Sequence, residues 1–281
     1  MKKIIPLLIF ILSVNIFAQS DSQKIYDTER AFEKAVAEKG IKTGFLEYLA
    51  DEATLFHPAP VNGKQFWRGR PDSPASLTWN PVFVDVSSNG ALAYTTGGGT
   101  YRPQGIDDPQ AFYSDYATIW QRQPDDSYKA VIDIGVSHDK PPVIETDWKS
   151  SPPSNENPAL QKMTSTAAAQ LFFETAMNED ISKAYKNFAV EDVRLLREGK
   201  MPITGKKAAL ENMKKEKDQI KYAKRMFFVS AGDLAYLSDT YSLIRDGKIT
   251  ARGGIVQVWK LRSGTWQIVL DVTTPIPLTE K

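Results

Sequence analysis

Apolar positions along this chain fall into two successive series. Each begins with a helical period and ends with a strand period. Between Thr28 and Ala37, Phe32, Ala35 and Val36 recur at the spacing of one helix face, and a second short segment runs from Phe45 to Leu49. The pair returns later as Ala167 to Met177 and Ile181 to Phe188, with Asn178 and Asp180 where a cap or turn belongs. Each pair is followed by a short strand, Ala53 to Phe56 and Val193 to Leu196, and then by another helix candidate. In the second series that helix is Lys206 to Lys217, made of good helix formers; in the first, Pro71 and Pro74 shorten it. Strands then dominate. Val82 to Val86, Leu92 to Thr96, Ala111 to Arg122 and Tyr128 to Ile134 are rich in β-branched and aromatic residues. PDDS (124–127) and RSG (262–264) read as hairpin turns.

The two series share words as well as order. YATIWQRQPDDSYKAVIDIG (116–135) lies over IVQVWKLRSGTWQIVLDVT (255–273), setting Trp120 against Trp259, Tyr128 against Trp266 and Asp133 against Asp271. GALAYTTG (90–97) lies over GDLAYLSD (232–239). FLEYLADEATLF (45–56) lies over AYKNFAVEDVRLL (184–196) with one insertion. The offset stays near 140 residues, far beyond a solenoid period of roughly 20 to 50. The expectation is a duplicated α+β domain, helices first and antiparallel strands after. The division expected is 19–136 for the first domain, a Pro-rich linker at 137–159, and 160–281 for the second.

The first residues change the picture of where the chain works. MKKIIPLLIFILSVNIFAQS has two lysines, a short apolar run and a small residue, the layout of a secretory signal peptide at 1–18. Cleavage is expected after Ala18, giving a mature start at Gln19, a periplasmic or secreted location, and no membrane anchor afterwards. Cysteine is absent, which excludes disulfides, thiolate metal sites and cysteine nucleophiles. His57 and His138 are the only imidazoles, so no zinc site is expected, and no cofactor motif is found. GGG (97–99) lacks the Lys-Ser/Thr of a phosphate loop and reads as a bulge or a close backbone approach.

Charge divides the halves. Residues 19–150 hold 13 Lys/Arg against 19 Asp/Glu, and residues 151–281 hold 20 against 15. The basic run KKEKDQIKYAKR (214–225) is interspersed with acids and reads as a solvated face, not a nucleic-acid patch. Opposite net charges favour packing of the two halves on each other.

The phrases GFLEYLADEATLFHP (44–58) and WNPVFVDVSSNGALAYTTG (79–97), with the Trp-turn-aromatic final hairpin, resemble the nuclear transport factor 2-like superfamily, which includes SnoaL-like and ketosteroid isomerase-like domains. The resemblance covers both copies. It implies two cone-shaped domains, each a strongly curved antiparallel sheet wrapped around its N-terminal helices with a pocket between. It also implies an internal pseudo-dimer through the sheets, with further oligomerisation open. In ketosteroid isomerases the phrase matching this stretch carries a catalytic aspartate just before the proline; here His57 precedes Pro58, and an imidazole could serve as the base. The helix tyrosine of that site falls on Glu33, and the second copy sets Arg197 opposite His57, so the rest of the isomerase site does not carry over.

Asp133 and Asp271 each interrupt an apolar strand, as solvent-facing carboxylates, buried ones with partners, or pocket acids. Tyr94, Tyr113 and Asp115 in the first copy, with Arg197, Asp239 and Arg252 in the second, complete the candidate pocket residues. The expected function is binding of a small apolar or amphipathic molecule in a first-domain pocket. An isomerase, lyase or hydrolase using His57, and a ligand-free interaction module, are the alternatives.

Overall fold

A computed structural model describes residues 21–152, 156–223 and 227–278; the expected signal peptide and its cleavage point lie outside them. The first half runs α1 (Asp21–Lys39), α2 (Ile41–Tyr48), β1 (Leu49–Phe56), β2 (Pro60–Asn62), α3 (Gly63–Arg68), β3 (Ser76–Val86), β4 (Leu92–Arg102), β5 (Phe112–Arg122), β6 (Tyr128–His138) and the short β7 (Lys149–Ser150). The second runs α4 (Ser165–Asn178), α5 (Ile181–Phe188), β8 (Ala189–Arg197), β9 (Ile203–Thr204), α6 (Lys206–Met213), β10 (Gln219–Tyr222), β11 (Phe227–Ala231), β12 (Leu234–Arg245), β13 (Lys248–Arg262) and β14 (Thr265–Ile276).

Local chemistry accounts for the helix ends. Asp21 and Lys39 match the dipole of α1 at its two ends. Gly40, at φ 84°, turns the chain into α2. The two helices then cross closely, because a Cβ on Gly44 would lie 2.4 Å from Val36 Cγ2. In the second half Asp180 caps α5 by accepting from the backbone N–H of Ser182 and Lys183.

The first sheet has the order β2-β1-β6-β5-β4-β3-β7 and the second β10-β12-β13-β14-β8-β9, with β11 also on β12. The long strands are antiparallel, as expected. Each sheet becomes mixed where the strand after the helix pair joins the last long strand in parallel, β1 on β6 and β8 on β14. Neither sheet closes into a barrel. The glycine run produces the expected bulge: β3 slips register between Pro81 and Phe83, and a Cβ on Gly97 would sit 1.9 Å from Asn80 O. The second half meets the same position differently. β10 and β11 lie end to end along β12, Tyr222 opposite Tyr241 and Phe227 opposite Ser238.

Alternation sorts the side chains. The inner face of the first sheet packs on α1 and α2 through Ile25, Phe32, Phe45, Trp79 and Trp120. Its outer face puts Leu92, Ile119, Ile132 and Ile134 into one buried cluster with Val193, Tyr236, Val258 and Leu270 of the second half. Polar bonds also cross between the halves. Lys260 Nζ reaches Asp85 Oδ1 at 3.0 Å and Asp233 Oδ2 at 3.4 Å, and Asp233 Oδ1 accepts from Ser88 N at 2.7 Å. The segment between β6 and β7 crosses the outer face, held near its end by Trp148 stacked on Tyr26 at 4.6 Å.

Candidate functional site

The helix stripe of α1 contains one residue that does not belong by polarity. Ile25, Phe32 and Val36 face the core at helical spacing, and Glu29 occupies the same face, fully buried. Its carboxyl accepts from Trp79 Nε1 at 2.5 Å, from Trp120 Nε1 at 3.1 Å and from the hydroxyl of Thr95. All three bonds favour the carboxylate. Burial outweighs them and, with the nearby Asp133, lifts the group to about 7.

Asp133 stands on the inner face of β6, in register with Thr118 of β5, whose hydroxyl donates to it at 3.0 Å. Burial raises it to about 6. Tyr116, two residues before Thr118 on the same face, has a buried hydroxyl with no hydrogen-bond partner. These groups and the rings of Phe32, Phe45 and Trp79 line a cavity of about 140 Å³ inside the first cone. The site therefore combines apolar walls, two carboxyl groups pushed toward neutrality, and a hydroxyl lacking an acceptor or donor. Such a set can hold or move a proton against one polar group of a small molecule.

The second cone is built on the same frame with different chemistry. Phe172 lies edge-on to Trp259 as Phe32 does to Trp120. Three residues before Phe172 stands Ala169, where the first copy has Glu29. The indole N–H of Trp259 is accordingly left without an acceptor. Asp271 is satisfied: Arg197 Nη2 lies 2.6 Å from Oδ1, and Tyr185 OH and Gln257 Nε2 both donate to Oδ2 at 2.6 Å. Arg197 also donates to the carbonyls of Leu196 and Asp271. This ion pair lies beside a second cavity of about 340 Å³, lined by Tyr185, Tyr222 and Tyr241 among others.

The structure scatters the remaining sequence candidates. His57 lies exposed beyond the end of β1, its ring against Phe66 and its Nε2 3.2 Å from Arg70 Nη2, outside the lining of the first cone. Burial and that guanidinium hold it below its ordinary value. Tyr94, Tyr113 and Asp115 stand on the outer face of the first sheet, toward the second half. Asp115 meets Arg194 at 3.3 Å and His138 at 2.9 Å. Asp239 is buried beside Tyr222, one oxygen unpartnered, and raised by burial to about 6. Arg252 is exposed at the far end of β13. Of the candidates, Asp133 alone joins the first cone's cavity, and Arg197 and Asp271 meet in the second. Among the described residues no group of three or more His, Asp or Glu converges to hold a metal ion.

No family model matches the sequence, and no curated protein matches it. Solved structures similar to this chain are nuclear transport factor 2-like or cystatin-like in fold. A protein of unknown function with a cystatin-like fold from Nostoc punctiforme is 12% identical, covers 40% of this chain and 88% of its own, and gives a TM-score of 0.33. A nuclear transport factor 2-like protein from Novosphingobium aromaticivorans is 12% identical over 40% of this chain and 80% of its own, at 0.34. Another, of unknown function, from Shewanella oneidensis is 19% identical over 39% of this chain and 98% of its own, at 0.34.

Proposed function

We propose that the first cone binds a small apolar molecule, about one ring in size, that carries a single carbonyl or hydroxyl group. The buried hydroxyl of Tyr116, a residue on the lining of a cavity walled by aromatic rings, carries this reading. A dry cavity of comparable size holds a benzene-sized guest, roughly 150 Å³. Tyr116 would donate to the guest's oxygen, and Asp133 or Glu29 would complete its hydrogen bonding. Phenol, titrated by calorimetry, tests it. Tyr116→Phe should weaken phenol binding by about ten-fold, the worth of one buried hydrogen bond; equal affinity in both proteins would count against the site.

A second reading rests on one further observation. Two carboxyl groups with values of about 7 and about 6 face the same cavity. One can give a proton while the other takes one near neutral pH, which is the requirement for an isomerase acting beside a carbonyl. In this reading His57 has no part. Deuterium exchange into cyclohexanone, present in the native protein and absent in Asp133→Asn, would establish it; no exchange above buffer would leave binding alone.

We further propose that the protein is exported and that its two sheets pair as an internal pseudo-dimer, the second half serving mainly as partner. The saturated Arg197–Asp271 pair, with no Glu29 equivalent beside it, favours that division of labour.

A further inference from the structure

The core between the two sheets does not extend over the whole outer face of the first. Beyond it, Thr78, Gly98, Thr100 and Asp115 floor a cavity of about 350 Å³ whose other walls include Met201 and Pro202 of the second half. A neighbouring lobe of about 660 Å³ shares Val82, Val143, Ile144, Glu145, Arg194 and Thr204 with it. Both volumes lie in the range of small-molecule sites, roughly 300 to 1,000 Å³.

Two features define what could fill it. The first is the balance of uncommitted polar groups where the lobes meet. Asp115 is occupied, by His138 on one oxygen and Arg194 on the other. His138 Nδ1 lies 2.6 Å from the carbonyl of Asp139, which leaves Nε2 as the atom turned to Asp115, at 2.9 Å. What remains free is donor capacity. Arg194 Nε is buried without an acceptor, and the Arg102 guanidinium, on the lining of the smaller lobe, has no ion-pair partner among the described residues. The acids of the covering segment that line the lobes, Glu145 and Asp147, are exposed to water, and Asp192 on the larger lobe pairs with Arg262.

The second feature is that covering segment. It is held at one end by β6 and at the other by Trp148 on Tyr26 and by β7 pairing with β3. Between those anchors Val143 is 71% and Ile144 58% exposed, yet both line the two lobes. Adjacent apolar side chains held over a cavity gain by covering an apolar occupant.

We propose that this seam is a second ligand site and takes a small amphipathic carboxylate, its head on Arg194 and Arg102 and its chain beneath Val143 and Ile144. The site needs both halves and the segment joining them, and it stands independently of the first cone.

Calorimetry with decanoate below its micelle concentration tests this on the purified chain. One decanoate should bind per chain, and decan-1-ol at least about ten-fold more weakly, because a neutral head forgoes the charge-assisted bonds. Val143→Ser with Ile144→Ser, exposed positions that leave the fold intact, should weaken decanoate by about ten-fold or more. Arg102→Gln should weaken it also, and Tyr116→Phe should leave it unchanged. Absence of decanoate binding would overturn the proposal. So would binding that survives both seam variants, or that is lost in Tyr116→Phe, which would place the molecule in the first cone. Equal affinity for decan-1-ol would remove the carboxylate from the assignment.

Discussion

At the scale of residues, Glu29 marks the first copy, where the second has Ala169. Glu29 takes hydrogen bonds from two indoles and a hydroxyl, and still holds its proton to about 7 because no water reaches it. The consequence for stability has a definite sign. The folded value lies above the unfolded 4.5, so between the two the folded state binds the extra proton. Stability should therefore be full below pH 4.5 and fall as pH rises to about 7, by about 3 kcal/mol from this group. Glu29→Gln should remove this group's share and leave that of Asp133 and Asp239, seen as urea midpoints that fall less between about pH 6 and pH 8 than in the native protein. Identical slopes in the two proteins would contradict the assignment. In the sequence Glu29 lies inside the helix expected over Thr28 to Ala37, whose apolar positions are Phe32, Ala35 and Val36, and it does not stand out there. The resemblance to ketosteroid isomerases points to His57, just before Pro58, instead. Nothing in the pattern distinguishes a carboxylate filling a core position from one at the border of a stripe; only its indole partners, from β3 and β5, do so.

At the scale of elements, the period of two fixes most of what the strands do. Asp133 and Gly135 turn to the cone, while Ile132, Ile134 and Val136 turn to the second half. The order of the main helices and strands was legible, with Thr28 to Ala37 extending to Asp21–Lys39, Leu92 to Thr96 to Leu92–Arg102 and Lys206 to Lys217 ending at Met213; the short β2, β7 and β9 were not. Which face of the sheet held the cavity was not, because both faces of β4 to β6 are buried and alternation carries no polar side to read. For that reason Tyr94, Tyr113 and Asp115 are pocket candidates by sequence and seam residues by structure. Close contact between elements of the two halves can be probed at Gly254 of β13. A Cβ there would lie 2.4 Å from the ring of Phe56 on β1. Gly254→Val should destabilise the chain by about 1–3 kcal/mol through overpacking, and Phe56→Ala should recover part of the loss in thermal unfolding. Full stability of Gly254→Val would show that the halves do not approach there.

For the whole molecule, one buried cluster draws side chains from both sheets, and buried Lys260 binds carboxylates of both halves. Urea unfolding should accordingly be a single transition, coincident by indole fluorescence and by far-ultraviolet circular dichroism. Two separated transitions would mean that the halves fold as independent bodies. The repeat made the duplication visible in the sequence, and the opposite charges of the halves gave a reason for them to meet. The cavity between them had no signature, because it is assembled from a strand face, a Pro-rich segment and a strand of the other copy that lie far apart along the chain.

The central claim is that small-molecule chemistry belongs to the first cone and not to its copy. The indole N–H groups of Trp79 and Trp120 both point at Glu29, and that of Trp259 faces no carboxylate. Nitrogen-15 labelling of the tryptophans therefore places a reporter in each cone. On titration with phenol, the Trp79 and Trp120 indole signals should shift together to saturation while Trp259 and Trp266 stay in place. Unmoved signals at Trp79 and Trp120, or a shift confined to Trp259, would contradict the account.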